Sequence, residues 1–146
     1  MALPAKIDAR GPRFGAAVTT VVLAIAFLTI GTPVATALLV LQTVVFGLGA
    51  LVGPHVQPYG LFFAKVVRPR LAPATEFEAP QPPRFAQAVG LGFAIAALIG
   101  VGLSIQLLTT IAVGFALAAA FLNAAFNFCL GCEMYLLIRR FSAPAN

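Results

Sequence analysis

The chain has 146 residues, 61% of them hydrophobic and 9% charged, with a formal net charge of +5. A soluble domain carries roughly a quarter charged residues, so this composition excludes a water-covered globule and makes lipid the solvent for most of the surface. The nine basic residues are Lys6, Arg10, Arg13, Lys65, Arg68, Arg70, Arg84, Arg139 and Arg140. None lies inside a long apolar stretch. A nucleic-acid surface needs cations interleaved along one exposed face, and this distribution excludes one. It fits charges gathered at membrane boundaries.

The first basic segment leads into an apolar run, and Ala35-Thr36-Ala37 loosely matches a small-x-small signal cleavage site. The run continues to Val52 and the same arrangement recurs later in the chain, so the first helix reads as retained. A bilayer core of roughly 30 Å needs about 20 apolar residues per helix. Four uncharged stretches qualify: Phe14 to Ile30, Val34 to Val52, Phe85 to Val101, and Ile105 to about Leu122. Gly31-Thr32-Pro33 and Gly102-Leu103-Ser104 interrupt them pairwise and read as tight turns between antiparallel helices. Gly49, Gly53, Gly90 and Gly92 are small residues of the kind that let membrane helices approach closely.

Between the second and third spans, Pro58 to Arg68 is too short to cross. Phe62, Phe63, Val66 and Val67 fall at helical spacing beside Lys65 and Arg68, as in a helix lying on the membrane surface. Pro69 to Pro83 is Pro-rich and carries Glu76 and Glu78, and reads as a mobile cytoplasmic loop.

The two halves match without a gap at an offset of 71 residues: Pro12-Arg13-Phe14 falls on Pro83-Arg84-Phe85, Gly31 on Gly102, Gly60 on Gly131 and Arg68 on Arg139. This predicts an all-α, integral membrane four-helix bundle in a single domain spanning 1–146. Its two tandem, parallel-repeat hairpins occupy 12–70 and 83–141, with a loop at 71–82, and each hairpin is followed by a short interfacial helix. All basic residues then fall on one side, and the positive-inside rule places both termini in the cytoplasm of a cell with this protein in its inner (plasma) membrane. Four spans make a thin bundle, which a homodimer would thicken.

The residues most suited to chemistry are Cys129 and Cys132, followed by Glu133. Two cysteines are too few for a secreted disulfide framework. Cys129 aligns with Pro58, a residue type favoured at a helix start. A thiol there meets unpaired N–H groups and the positive end of the helix dipole, which favours thiolate. Cys129 would be the nucleophile, Cys132 the resolving thiol, and Glu133 a proton acceptor or a partner of Arg139 or Arg140. Two other readings stay open: the thiols pack as small hydrophobes, or they supply half of a zinc site that His55 or Glu133 would complete. No second C-x-x-C supports zinc, so neither a metal nor a cofactor is expected. His55 reads as an interfacial side chain bonded to a carbonyl, or as a group facing the cysteines across the pseudo-axis. Asn123 and Asn127 read as amides satisfied by backbone or neighbouring helices, or as ligand holders beside Cys129.

Asp8-Ala9-Arg10-Gly11-Pro12-Arg13-Phe14, Val67-Arg68-Pro69-Arg70-Leu71 and Cys129-Leu130-Gly131-Cys132-Glu133-Met134-Tyr135 together resemble an uncharacterised family of small bacterial membrane proteins, classed as a domain of unknown function. The resemblance implies a thiol partner of the thioredoxin-like or rhodanese type. The chain also resembles membrane thiol oxidoreductases that use quinone, in its four helices and its C-x-x-C at the membrane surface. It departs from them in lacking a second cysteine pair and in placing its pair on the cytoplasmic side, and both departures weigh against quinone-coupled disulfide formation. The expected activity is thiol–disulfide exchange or sulfur relay, and the alternative is a non-enzymatic subunit or scaffold that docks a cytoplasmic partner.

Overall fold

The computed structural model describes residues 6–142. Its helices in chain order are α1 (Arg10–Leu28), α2 (Pro33–Leu51), the short α3 (Pro58–Phe62), α4 (Gln81–Gly102), α5 (Gln106–Phe126) and α6 (Leu130–Ser142). The four long ones, α1, α2, α4 and α5, dominate. At 1.5 Å per residue they are roughly 28 to 33 Å long, matching a bilayer core. Only 17% to 39% of the most apolar window of each is buried, so most of the apolar surface faces outward. Val21, Leu28, Val44, Leu51, Leu107 and Phe115 are all more than half exposed. Such a surface is stable in lipid and not in water. The protein is an integral membrane protein with an all-α bundle.

Both hairpins begin and end at the same end of the bundle. Arg13 Nε donates to the Ala124 carbonyl at the end of α5 (3.1 Å), and Arg84 Nε donates to the Ala50 carbonyl at the end of α2 (2.7 Å). The two arginines are 71 positions apart, and each covers the last turn of the other hairpin's second helix. Packing follows the same reciprocity, since α2 lies chiefly on α4 and α1 on α5, with α4 and α5 also packed closely together. At the opposite end, Gly31 takes a positive φ (+94°) and Thr32 caps α2, its hydroxyl accepting from the Ala35 N–H; the second hairpin turns at Ser104 (φ +58°).

The core is built from small side chains. Leu23, Ala26, Leu39, Ala97, Ala112, Val113 and Ala116 form its central cluster. Lipid gives helices no hydrophobic drive to associate, so close backbone approach through Ala and Gly supplies the dispersion attraction. Thr109 adds a hydrogen bond to the Ala97 carbonyl across α4 and α5 (3.0 Å).

The helices start earlier than the apolar pattern suggests, at Arg10 and Gln81 rather than Phe14 and Phe85. Proline is tolerated in a first turn because the N–H it lacks has no intrahelical partner there, so Pro12, Pro82 and Pro83 fall inside α1 and α4. The surface segment after α2 is also less regular than expected. After α3 it continues as a π turn (Phe63–Val67) and a 3₁₀ turn (Arg68–Arg70). Its counterpart α6 is one regular helix. Each is held by a phenylalanine near the start of a spanning helix: Phe14 stacks with Phe62, and Phe85 packs on Tyr135.

The expected mobile loop at Pro69–Pro83 is corrected in part. Phe77–Glu78 (β2) pairs antiparallel with Ile7–Asp8 (β1), and α4 has begun by Gln81. Arg10 holds the lead-in together: it forms a 2.9 Å ion pair with Asp8 and donates to the Ala72 carbonyl. That hydrogen-bonded guanidinium keeps the buried Asp8 carboxyl below the usual carboxylate range. Burial pushes the Glu78 carboxyl the other way, upward.

Candidate functional site

The left-handed Asn127 (φ +54°) ends α5, with its N–H and that of Phe128 donating to the Asn123 and Leu122 carbonyls. This Schellman-type stop reverses the chain. It places Cys129 directly before α6, where its carbonyl accepts from the Glu133 N–H (3.0 Å). Cys129 is therefore the N-cap residue rather than the first helical one. Its Sγ does what a capping oxygen does elsewhere: the Cys132 N–H donates to it at 3.1 Å. Cys129 and Cys132 are joined in a disulfide.

Gly131, between them, decides where this turn can sit. A Cβ built on it would lie 2.6 Å from both Cα and Cβ of Ala86. The first turn of α6 thus rests against the α4 backbone, which only a glycine permits.

Behind the disulfide lies a cavity of about 230 Å³ among α1, α2, α4, α5 and α6. Ala16, Gly90, Ala119 and Ala120 leave the space open, and Phe46, Phe93 and Phe115 wall it. Phe93 and Phe115 stack with ring centroids 6.1 Å apart. Three polar side chains reach it: Thr19, Gln87 and Asn123.

A second cavity, of about 270 Å³, adjoins the first and shares Pro12, Pro83 and Gln87 with it. Asp8, His55, Gln57 and Arg68 also line it. The expected carbonyl partner of His55 is absent among the described residues: both ring nitrogens are buried with no hydrogen-bond partner there. His55 faces this neighbouring space, not the disulfide.

The other sequence candidates separate. Asn123 lines the cysteine cavity and makes no side-chain hydrogen bond among the described residues, whereas Asn127 serves the α5 stop. Glu133 is exposed in the first turn of α6 and forms no ion pair with Arg139 or Arg140, Asp8–Arg10 being the ion pair among the described residues. No cluster of metal-ligating side chains occurs among the described residues.

Two buried polar links escaped the sequence pattern. Fully buried Gln42 donates to Thr19 Oγ (3.3 Å) and accepts from the Tyr59 hydroxyl (2.9 Å). Gln57 donates to Gln87 Oε1 (2.9 Å). An amide in the middle of a lipid-spanning helix is itself a signal that it faces protein, and Gln42 carried that signal.

The family Domain of unknown function (DUF4395) matches residues 7–140, from β1 to the last turn of α6. The chain belongs to this family. Neither the curated proteins nor the solved structures hold a significant match to it. The DUF4395 match covers both hairpins, both surface segments and the cysteine turn.

Proposed function

We propose that this protein is a membrane-embedded thiol–disulfide exchange protein whose Cys129/Cys132 pair reacts with a soluble, thioredoxin-like or rhodanese-type protein at the cytoplasmic face. The carrying observation is the disulfide at a helix start, with the Cys132 N–H directed at Cys129 Sγ. A partner thiolate bonds to Cys129 Sγ while the Cys129–Cys132 bond breaks and Cys132 takes the electron pair. The partner's second thiol then displaces Cys129, leaving the partner oxidised and the membrane pair reduced. Cys129 leaves as a thiolate stabilised by that N–H and by the positive end of α6, and a better leaving thiolate speeds exchange. The cytoplasmic placement rests on the basic residues, all of which belong to the segments outside the two hairpin turns.

In a Cys132→Ser variant the Cys129 thiolate should attack the disulfide of the oxidised partner, the reverse of the same exchange, and accumulate a mixed disulfide in cells. Absence of any adduct, with both thiols unchanged in redox state, sinks the proposal. An impermeant thiol reagent tests the side: Cys129 should resist labelling from outside intact cells. The scaffold reading draws on the exposed, basic end of α6 with Arg139 and Arg140. It requires function to survive replacement of both cysteines by alanine.

A further inference from the structure

We infer that the cavity beside His55 binds a phosphate-type oxyanion, held by the His55 imidazole inside it and by Lys6 and Arg68 at its edge. None of the residues involved belongs to the cysteine turn, so the site is independent of the exchange chemistry. The cavity lies at the basic end of the bundle, between the start of α1, the 3₁₀ turn at Pro54–Val56, the π turn and the two short strands. Gly11 and Gly15, one turn apart on α1, line it without side chains and leave it open. At about 270 Å³ it falls below the roughly 300–1,000 Å³ of sites for drug-sized ligands. That space suits a single tetrahedral ion or the phosphate end of an ester.

His55 is the single histidine of the chain, and both of its ring nitrogens are buried with no hydrogen-bond partner among the described residues. An imidazole carries at least one N–H in any protonation state, and two as imidazolium. A buried donor without an acceptor costs free energy, which a ligand oxygen would recover. Gln57, 5% exposed, gives one amide N–H to Gln87 Oε1 and keeps the other. Charge points the same way. Lys6 and Arg68 line the cavity, and neither forms an ion pair among the described residues. The carboxylate in the wall, Asp8, is already engaged: the Arg10 backbone N–H and Nε donate to its Oδ1, and Nη2 donates to its Oδ2. Asp8 thus has its own counter-charge, and the charge left over on the wall is positive.

Other occupants fit less well. A cation would need the carboxylate that Arg10 holds, and Lys6 and Arg68 would repel it. An acyl chain would leave His55 and Gln57 without acceptors. Water would satisfy those donors but not match the surplus positive charge. A phosphate group does both, and its hydrogen bonds from cationic donors are the strong, charge-assisted kind. It can arrive as a free ion or small ester, or as the headgroup of a bilayer phospholipid, since the basic end of the bundle meets both water and lipid headgroups. The 71-residue offset supplies a control: Arg139 is the counterpart of Arg68 and does not line the cavity.

The test uses the full-length protein in dodecyl maltoside, made with isotope-labelled histidine and without a histidine tag. Because His55 is the single histidine, its ring nitrogens give an unambiguous magnetic-resonance signal. Inorganic phosphate is titrated at fixed pH and ionic strength against chloride, and dihexanoyl phosphatidic acid is titrated in parallel. At least one of the two should shift the ring signals saturably. Saturation by inorganic phosphate alone makes the ligand a free oxyanion, saturation by the lipid alone makes it a headgroup, and either supports the inference. Arg68→Gln should raise the apparent Kd by about tenfold, the loss of one charge-assisted hydrogen bond, while Arg139→Gln should leave it unchanged. His55→Phe, read by calorimetry because the probe is gone, should also weaken binding. If neither probe saturates in the wild-type protein, the cavity holds water alone and the inference fails. It also fails if chloride shifts the ring as phosphate does, or if Arg68→Gln and Arg139→Gln bind alike. Replacing both cysteines by alanine should leave the titration unchanged, so the result is separate from that of mixed-disulfide trapping.

Discussion

Gly131→Ala is the most direct test of how the cysteine turn is held. The added methyl would sit 2.6 Å from the Cα and Cβ of Ala86. Carbon atoms settle at about 3.5–4.0 Å, so α6 must retreat from α4 by roughly 1 Å. The backbone atom it meets cannot rotate away, and overpacking of this kind costs about 1–3 kcal/mol. Gly92→Ala supplies the control, because a Cβ there meets nothing within 4 Å and its φ is ordinary helical. Alanine is favoured over glycine in a helix by about 0.5–1 kcal/mol, so Gly92→Ala should be neutral or stabilising. Equilibrium unfolding in mixed dodecyl maltoside and SDS micelles measures both. The expected gap between the two variants is therefore about 1.5–4 kcal/mol. Ala86→Gly should recover only part of the Gly131→Ala loss, since the clash with the backbone of residue 86 persists. Equal stability of Gly131→Ala and Gly92→Ala would refute the close seat of α6 on α4, and with it the account of why a glycine stands between the cysteines.

Gln42→Leu and Tyr59→Phe break the same hydrogen bond from opposite ends, so their costs should not add; a coupling of about 0.6–1.7 kcal/mol is expected, and additivity to within about 0.3 kcal/mol removes the link. Arg84→Ala deletes two hydrogen bonds to the last turn of α2, at 2.7 and 3.0 Å, together with a cation at a helix C-terminus, for a loss of about 1–3 kcal/mol. Arg13→Ala, which deletes a single bond at 3.1 Å, should lose less, and the reverse order in the same unfolding assay would contradict the arrangement. Glu78 has a folded pKa above its unfolded value, so its contribution is present at low pH and is lost as pH rises through the raised value. Glu78→Gln should therefore raise the unfolding temperature at pH 7 and leave it unchanged below about pH 4; a uniform effect across that range points to packing instead. Asp8 has the opposite sign: Asp8→Asn should cost stability at pH 7, and the cost should fade as pH falls through the lowered value.

Composition alone carries the four helices, because no other solvent than lipid suits so few charges. The turn residues Gly31 and Ser104 and the arginines at the helix starts locate the two ends of the bundle. What the pattern does not carry is the inside of it. In a lipid-spanning helix both faces are apolar, so periodicity does not separate Leu39, fully buried, from Leu41, 47% exposed. The cavity behind Cys129 depends on that distinction, and it was invisible for that reason. Loop composition has a similar blind spot. Prolines and glutamates describe the solvation of residues 69–83 but not that Phe77 and Glu78 meet Asp8 and Ile7 across the sequence. Local sequence around His55 does not show that it shares a cavity with the distant Asp8 and Gln87.

The 71-residue offset makes sense of where the cavity lies. In the first half, Thr19, Gln42 and Tyr59 tie the surface segment to α1 and α2 through two hydrogen bonds. The corresponding positions in the second half are Gly90, Val113 and Leu130. None of these side chains can hydrogen-bond, and Gly90 has no side chain at all. Phe46 uses part of the vacated room, its ring edge 2.7 Å from where a Gly90 Cβ would be. The remainder is open to Cys129 and Cys132. The polar link that ties α3 down is thus missing under α6, where the cavity beside the disulfide lies. The proposed exchange needs both a firm helix start and access to a second reactant. Gly131 against Ala86 supports the first, and the cavity that Cys129 and Cys132 border supports the second.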